Sequence, residues 1–160
     1  MKNILVILFA FCVICLQAQE IQKEGVEING IIWATSNAGA DNPEDYGNFY
    51  TWDEAQNACP AGWRLPRIGE LGNLLRSGNE WITVNGKMGR KFGSGSNSVF
   101  LPAAGYCTSG GKWYDNTSGY YWSSTAYSKS NAYNFVFDET CRNTSNPSKK
   151  MSFSVRCVAE

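Results

Sequence analysis

The chain has 160 residues, no histidine, 14 basic against 14 acidic side chains, and many aromatics: 6 Trp, 8 Tyr and 8 Phe. The missing histidine excludes a Ser-His-Asp triad, a Cys-His pair, a His-ligated zinc site and the HExxH helix. Net neutrality with only 18% charged residues offers no electrostatic footprint for nucleic acid or anionic lipid.

At the start, Lys2 precedes an apolar run over 4–16 that closes on Leu16-Gln17-Ala18. A basic n-region, an h-region and a small residue at the end predict a cleaved signal peptide over 1–18. The run is too short to cross a membrane, which takes roughly 20 apolar residues. A lipoprotein anchor is not expected either, because Cys12 follows Phe11 and Cys15 follows Ile14, where a small residue is needed. The expectation is one exported domain over 19–160, secreted or held at the cell surface, with no membrane span and no nucleic-acid partner. Loss of Lys2 alone leaves 13 basic against 14 acidic residues. Cys59, Cys107, Cys141 and Cys157 remain and contain no CxxC. In an oxidising compartment they read as two disulfides, with three possible pairings.

Residues 19–25 are polar and expected to fray. Val26-Glu27-Ile28 and Ile31-Ile32-Trp33 flank Asn29-Gly30, a strong hairpin signal. Residues 34–48, rich in Gly, Asn, Asp and Pro, read as loop. Thr51-Trp52-Asp53-Glu54 has capping-box spacing and predicts a helix running to about Cys59. A second helix follows Leu65-Pro66 through Glu70, Leu71, Leu74 and Leu75, weakened by Gly69 and Gly72 at about 1 kcal/mol each. Trp81-Ile82-Thr83-Val84 leads into a turn at Asn85-Gly86, and 91–98 reads as a glycine-serine loop. Val99-Phe100-Leu101-Pro102 opens a buried run to Cys107, and Gly110-Gly111 turns the chain towards Trp113-Tyr114. Strands are predicted over 119–125 and 132–137, the latter with Phe135 and Phe137 on one face. A polar stretch, 138–150, precedes a closing strand over 151–158. Two early helices followed by many short strands predict an α+β fold.

Four phrases occur together in order: Cys59-Pro60-Ala61-Gly62-Trp63-Arg64-Leu65-Pro66, Leu101-Pro102-Ala103-Ala104-Gly105-Tyr106, Gly119-Tyr120-Tyr121-Trp122-Ser123-Ser124-Thr125 and Phe153-Ser154-Val155-Arg156-Cys157-Val158. With Ile28-Asn29-Gly30-Ile31-Ile32-Trp33 and Tyr50-Thr51-Trp52-Asp53-Glu54-Ala55, they resemble the Fibrobacter succinogenes major paralogous domain over nearly all of 19–160. The resemblance implies a C-type-lectin-like fold, shared with formylglycine-generating enzymes and retroelement-diversified variable proteins. It comprises two early helices, short antiparallel strands, paired terminal strands and long ligand-bearing loops. It also implies a Cys59–Cys157 disulfide, leaving Cys107 with Cys141. Arg67 stands where that family usually caps its second helix with Thr, and Ser152 where a glycine usually precedes the last strand.

The resemblance admits catalysis only if Cys107 and Cys141 acted as a copper-binding thiol pair, and oxidation of an exported chain opposes that. No enzyme is expected. Asp41-Asn42-Pro43-Glu44-Asp45, Asp115-Asn116 and Asp138-Glu139 gather oxygens that suit calcium, but turn chemistry explains them equally, so no metal or cofactor is expected. The remaining reading is a non-catalytic binding domain, an adhesion or carbohydrate-binding module, with a glycan or surface protein as partner. A retroelement-diversified receptor is the alternative. The candidate ligand-binding residues are Trp113, Tyr114, Asp115 and Asn116, then Tyr127, Lys129, Asn131 and Asn134, and Arg142 and Asn143. Aromatic rings there would stack on sugar faces while amides and carboxylates take hydroxyls. The competing reading buries Trp113 and Tyr114 in a satellite core. Trp63, Trp122, Phe135 and Phe153 are assigned to the core, and Arg64 and Arg156 to structural bridging.

Overall fold

Asn29 and Gly30 take φ of 51° and 77°, and Asn85 and Gly86 take 46° and 78°. Paired positive φ values are what two-residue antiparallel turns need, so both Asn-Gly hairpins form where the sequence places them. The structure, a computed structural model, describes residues 25–160. The expected signal peptide over 1–18 lies outside the described residues, as do most of the residues over 19–25 expected to fray.

In chain order the elements are β1 (Gly25–Ile28), β2 (Ile31–Ala34), helix α1 (Trp52–Ala55), β3 (Trp63–Arg64), helix α2 (Ile68–Arg76), β4 (Asn79–Val84), β5 (Lys87–Ser94) and β6 (Asn97–Pro102). They continue with β7 (Tyr106–Thr108), β8 (Gly111–Trp113), β9 (Ser118–Ala126), β10 (Ala132–Asp138), β11 (Arg142–Ser145) and β12 (Val158–Ala159). These strands form four small antiparallel sheets, ordered β1-β2-β12-β3, β11-β10-β9, β4-β5-β6 and β7-β8. Terminal strands pair, with Val158 opposite both Trp33 and Arg64.

Strand takes 48% and helix 10%, so the fold is sheet-dominated; the expected α+β, C-type-lectin-like class with two early helices is corrected. The first helix is a single turn. Glu54 accepts from the Thr51 backbone N–H at 2.8 Å, as the capping box requires, but the helix ends at Ala55 rather than near Cys59. Pro60 disfavours helical backbone at Cys59, and that cysteine is bonded to Cys157. Helix α2 does form over nine residues, with Leu71 and Leu74 buried. Arg67 gives no side-chain cap; the Ile68 N–H donates to Thr125 Oγ1 at 3.1 Å, so a hydroxyl from β9 stands in.

The predicted loop over 91–98 is instead the β5–β6 hairpin, because glycines there admit a close partner. At Gly89 and Gly93 an added Cβ would strike the backbone of β6. The closing strand over 151–158 is likewise corrected. Its backbone bonds one or two residues at a time to Cys107, Tyr50, Tyr120 and Ala38, and only Val158–Ala159 joins a ladder.

Two apolar clusters lie between these layers. One gathers Trp33, Leu71, Leu74, Phe92, Leu101, Tyr121, Phe135 and Phe137; the other gathers Leu65, Trp122, Ala132, Phe153 and Val155. Trp63 is only half-buried against the second cluster, a correction to its assignment to the core outright. Arg64 pairs with Glu70 through two bonds of 2.8 and 2.6 Å. Arg156 is buried and donates to Asn37 Oδ1 and to the carbonyls of Ala34, Thr35 and Phe100 at 2.8–3.0 Å. No helix among the described residues is long and apolar enough to cross a membrane.

Candidate functional site

Gly105 takes φ +71°, and a Cβ there would collide with the Trp113 carbonyl oxygen. Only glycine lets the β7–β8 ribbon close over the chain at this point. Beyond the ribbon, Tyr114 and Asn116 themselves adopt positive φ, 58° and 61°. Non-glycine residues hold that backbone only where the surroundings over-determine it. Here they do. The Tyr114 carbonyl accepts from Thr117 Oγ1 (2.8 Å) and from the Ser118 N–H (3.0 Å), and the Asn116 N–H donates to Ala103 O (2.7 Å). The loop is pinned on both sides, yet Trp113 is 49% and Tyr114 59% exposed. The satellite-core alternative is therefore excluded.

Tyr114 is the outer end of a row of rings. Trp122 packs on Phe153 (4.4 Å between centres), Phe153 stacks on Tyr120 (5.4 Å), Tyr120 meets Tyr106 edge-on (5.1 Å), and Tyr106 meets Tyr114 (5.8 Å). The row runs from full burial to the surface. Strand alternation puts Lys112 on the other face of the ribbon from Trp113; there Lys112 Nζ stands 4.2 Å and Lys87 Nζ 4.4 Å from the centre of the Tyr46 ring, with Phe49 5.6 Å from Lys112. Asp115 lies 3.6 Å from Lys112. Burial first, and the Asp115 charge second, raise the Tyr46 hydroxyl above its ordinary pKa. Phe49 also lines an open cleft of about 600 Å³ with Asn48, Tyr50, Glu54, Asn57 and Ala58. A larger groove, about 910 Å³, runs along Ala34–Ala40 and the Cys59–Cys157 bond, but no charged side chain lines it.

The ten candidate ligand residues do not form one site. Trp113, Tyr114 and Asp115 are all exposed. Asn116 does not join them: its Oδ1 accepts from the Met88 N–H (2.6 Å) and the Tyr46 hydroxyl (3.4 Å), so it is a structural tie. Asn134 is 1% exposed on β10, opposite Trp122, and is removed from the candidates. Tyr127, Lys129 and Asn131 follow the far end of β9, a nine-residue strand. At about 3.3 Å per residue, this puts them roughly 27 Å from the 113–116 loop. Tyr127 is exposed and rests edge-on against Tyr133, while Asn131 is engaged in its own turn through Ser128, Ser130 and Asn146. Arg142 and Asn143 are exposed on β11, with β10 between that strand and β9.

The sequence reading missed Tyr46, Phe49, Lys87 and Tyr106. Its usable signal was Tyr46-Gly47-Asn48-Phe49-Tyr50, three aromatics in five residues of an otherwise polar loop.

The Cys59–Cys157 bond is present, spanning 98 residues. The Cys107–Cys141 pairing is corrected: both thiols are free, one half-buried in the β7–β8 ribbon and the other exposed in the β10–β11 turn beside Arg90. Several carboxylates of the acidic clusters are already engaged. Asp45 accepts from Asn42, Glu44 from Asn85, and Asp138 from the backbone of Thr140 and Cys141, bonds that hold the Asp138 carboxyl below its usual pKa. Among the described residues no three His, Cys, Asp or Glu side chains are grouped to hold a metal ion.

The comparisons with known proteins stop short of an activity. Residues 91–158 match a family described as a domain of unknown function (DUF8237). No curated protein and no solved structure matches the chain. The matched segment runs from β5 into β12 and carries the β7–β8 ribbon, the pinned loop and Cys157, but neither Cys59 nor the 46–50 aromatics.

Proposed function

We propose that the chain is an exported, non-catalytic binding module whose ligand is a glycan, held against Trp113 and Tyr114. One observation carries this reading: two large rings stay exposed on a backbone that hydrogen bonds hold fixed against its own strain. An aromatic surface ordered before binding loses little entropy when it stacks on the apolar face of a sugar. The signal-like segment over 1–18 and the Cys59–Cys157 bond support export, since disulfides persist in oxidising compartments.

The test is a glycan screen of the purified protein, with calcium and with chelator, beside Trp113→Ala and Tyr114→Ala. The expected result is saturable binding that either substitution weakens by about tenfold or more, near 1.4 kcal/mol. Binding that survives both substitutions would remove this surface from the function. Silence from a folded sample would turn the reading to a protein partner.

A further inference from the structure

Strand alternation sorts the side chains of the β7–β8 ribbon by charge. Tyr106 stands directly opposite Trp113, and Cys107 opposite Lys112. Directly opposed residues of an antiparallel pair point to the same face, and successive residues to opposite faces. Tyr106, Thr108 and Trp113 therefore share one face, and Cys107 and Lys112 the other. The indole agrees: Trp113 Nε1 donates to Thr108 Oγ1 at 3.3 Å, and that oxygen also accepts from the Gly110 N–H at 3.1 Å. Tyr114 lies against Tyr106, 5.8 Å between ring centres and 32° between planes, so the three rings adjoin. The charges go the other way. Asp115 reaches Lys112 at 3.6 Å, and Lys112 lies over Tyr46 and Phe49.

Two consequences bear on a ligand. The ribbon residues on the ring side, Tyr106, Thr108 and Trp113, carry no charge to answer an ionic group. The single side-chain donor of Trp113 is spent on Thr108, so the indole shows a ligand its ring alone. A hydroxyl pressed onto that ring would lose its water and gain no partner. The contacting face of the ligand must then consist of C–H groups.

We infer that this surface takes a neutral, β-linked glucose-type polysaccharide, with one sugar stacked on Trp113 and the chain continuing over Tyr114. This rests on the glycan reading above and narrows its ligand class. In such a chain every ring substituent is equatorial, so both faces of each sugar offer C–H groups and the hydroxyls point sideways into water. An α-mannose chain carries axial oxygens that would meet the indole. A uronate polymer brings charge that the ring side does not answer. The Tyr120 hydroxyl behind the rings is raised above its ordinary pKa by burial, then by the Tyr106 and Tyr114 hydroxyls and the Asp138 carboxylate, and that carboxylate would repel a polyanion.

The experiment measures equilibrium binding of the whole protein to hydroxyethyl cellulose, carboxymethyl cellulose and α-mannan, at about 50 and about 300 mM NaCl. The first two share a β-linked backbone and differ in charge; the third is neutral with axial oxygens. Hydroxyethyl cellulose should bind about tenfold or more tighter than α-mannan, change less than about twofold with salt, and be lost in Trp113→Ala and in Tyr114→Ala. Carboxymethyl cellulose should bind no tighter than its neutral counterpart. Lys112→Met should move these affinities by less than about twofold, because its ammonium group faces away from the rings.

Tighter binding of carboxymethyl cellulose at low salt, or equal binding of α-mannan, would overturn the neutral β-linked class and keep the glycan reading if Trp113→Ala abolishes it. Binding that survives both ring substitutions would overturn both. Silence on all three polymers would overturn the class, and the broad glycan screen would then decide the wider reading.

Discussion

Arg156→Met tests the central claim about how the molecule is held together. Arg156 is 1% exposed, and its guanidinium has only neutral acceptors: Asn37 Oδ1 and the carbonyls of Ala34, Thr35 and Phe100. Four hydrogen bonds from a charged donor contribute on the order of 1.5–3 kcal/mol each, so about 6 kcal/mol at the low end. Burial opposes them, depressing the Arg156 pKa from 12.5 to about 10. At about 1.4 kcal/mol per unit, that is a penalty near 3 kcal/mol. The difference leaves about 3 kcal/mol in favour of the arginine. Methionine fills similar volume but leaves the acceptors unanswered, so the substitution should cost about 3–5 kcal/mol, in the range for a buried charge network losing one member. For a domain of this size the thermal midpoint should fall on the order of 10 °C. The folded pKa lies below the unfolded one, so the burial penalty is fully present below about pH 10 and is relieved only above it. The deficit of the variant should therefore be constant from pH 5 to 9. Arg156→Lys should recover less than half of it, because one ammonium cannot reach acceptors that diverge around a planar fork. A loss below about 1 kcal/mol by urea denaturation, or a gain, would refute the argument and make this arginine replaceable by apolar packing.

The other predictions concern cross-links, acid and the loop glycine. Protein lacking 1–18 should titrate as two free thiols when native, with Cys141 alkylated before Cys107; finding none would mean that the two are bonded after all. Cys59→Ser/Cys157→Ser opens a 98-residue loop and should cost about 3–5 kcal/mol on the chain-entropy account, read from the urea midpoint. The hydrogen bond from Arg64 holds the Glu70 carboxyl below its usual 4.5, so its stabilisation is present above that value and is lost as pH falls through the lower folded pKa. The gap in thermal midpoint between the parent and Glu70→Gln should accordingly be open at pH 6 and close in acid; a gap that persists unchanged at pH 2.5 would rule this out. Gly105→Ala should lower stability by at least 1–2 kcal/mol and weaken ligand binding with it, because the added methyl group displaces the Trp113 carbonyl.

What was legible in the sequence was mostly local chemistry. The Asn-Gly turns, the Thr51–Glu54 helix start and the shared face of Phe135 and Phe137 depend on a few adjacent residues, and each is found as expected. What depended on distant partners was not legible. The 91–98 segment looks like a linker until β6 lies against it, and only then do its glycines read as sites of close approach. Helix α1 was overextended because the signal for its start is local, while its end is set by a disulfide to a residue 98 positions away. Asn134 has the composition of a ligand residue and the burial of a core residue, a distinction that strand alternation alone cannot make when both faces of β10 are covered. Half of the site was legible, since Trp113 and Tyr114 were named. The rings behind them, Tyr106, Tyr120 and Phe153, come from β7, β9 and the closing segment, and only the fold brings these together.

The closing segment explains why a fold of small sheets can hold such a surface rigid. Phe153 exchanges backbone bonds with Tyr50, beside Phe49, and Ser152 does the same with Cys107, beside Tyr106. One short stretch thus fastens both the early aromatic loop and the β7–β8 ribbon. The Phe153 ring, meanwhile, stands inside the row that ends at Tyr114. Three residues on, Arg156 ties the same stretch to Ala34, Thr35 and Asn37, and Cys157 ties it covalently to the region after α1. None of these restraints touches a ligand. Each removes freedom from the rings that would. On this account, loosening residues 151–157 should release Tyr106 and the 46–50 loop together, and affinity should fall before the remaining sheets lose their order, because this one stretch bonds to both.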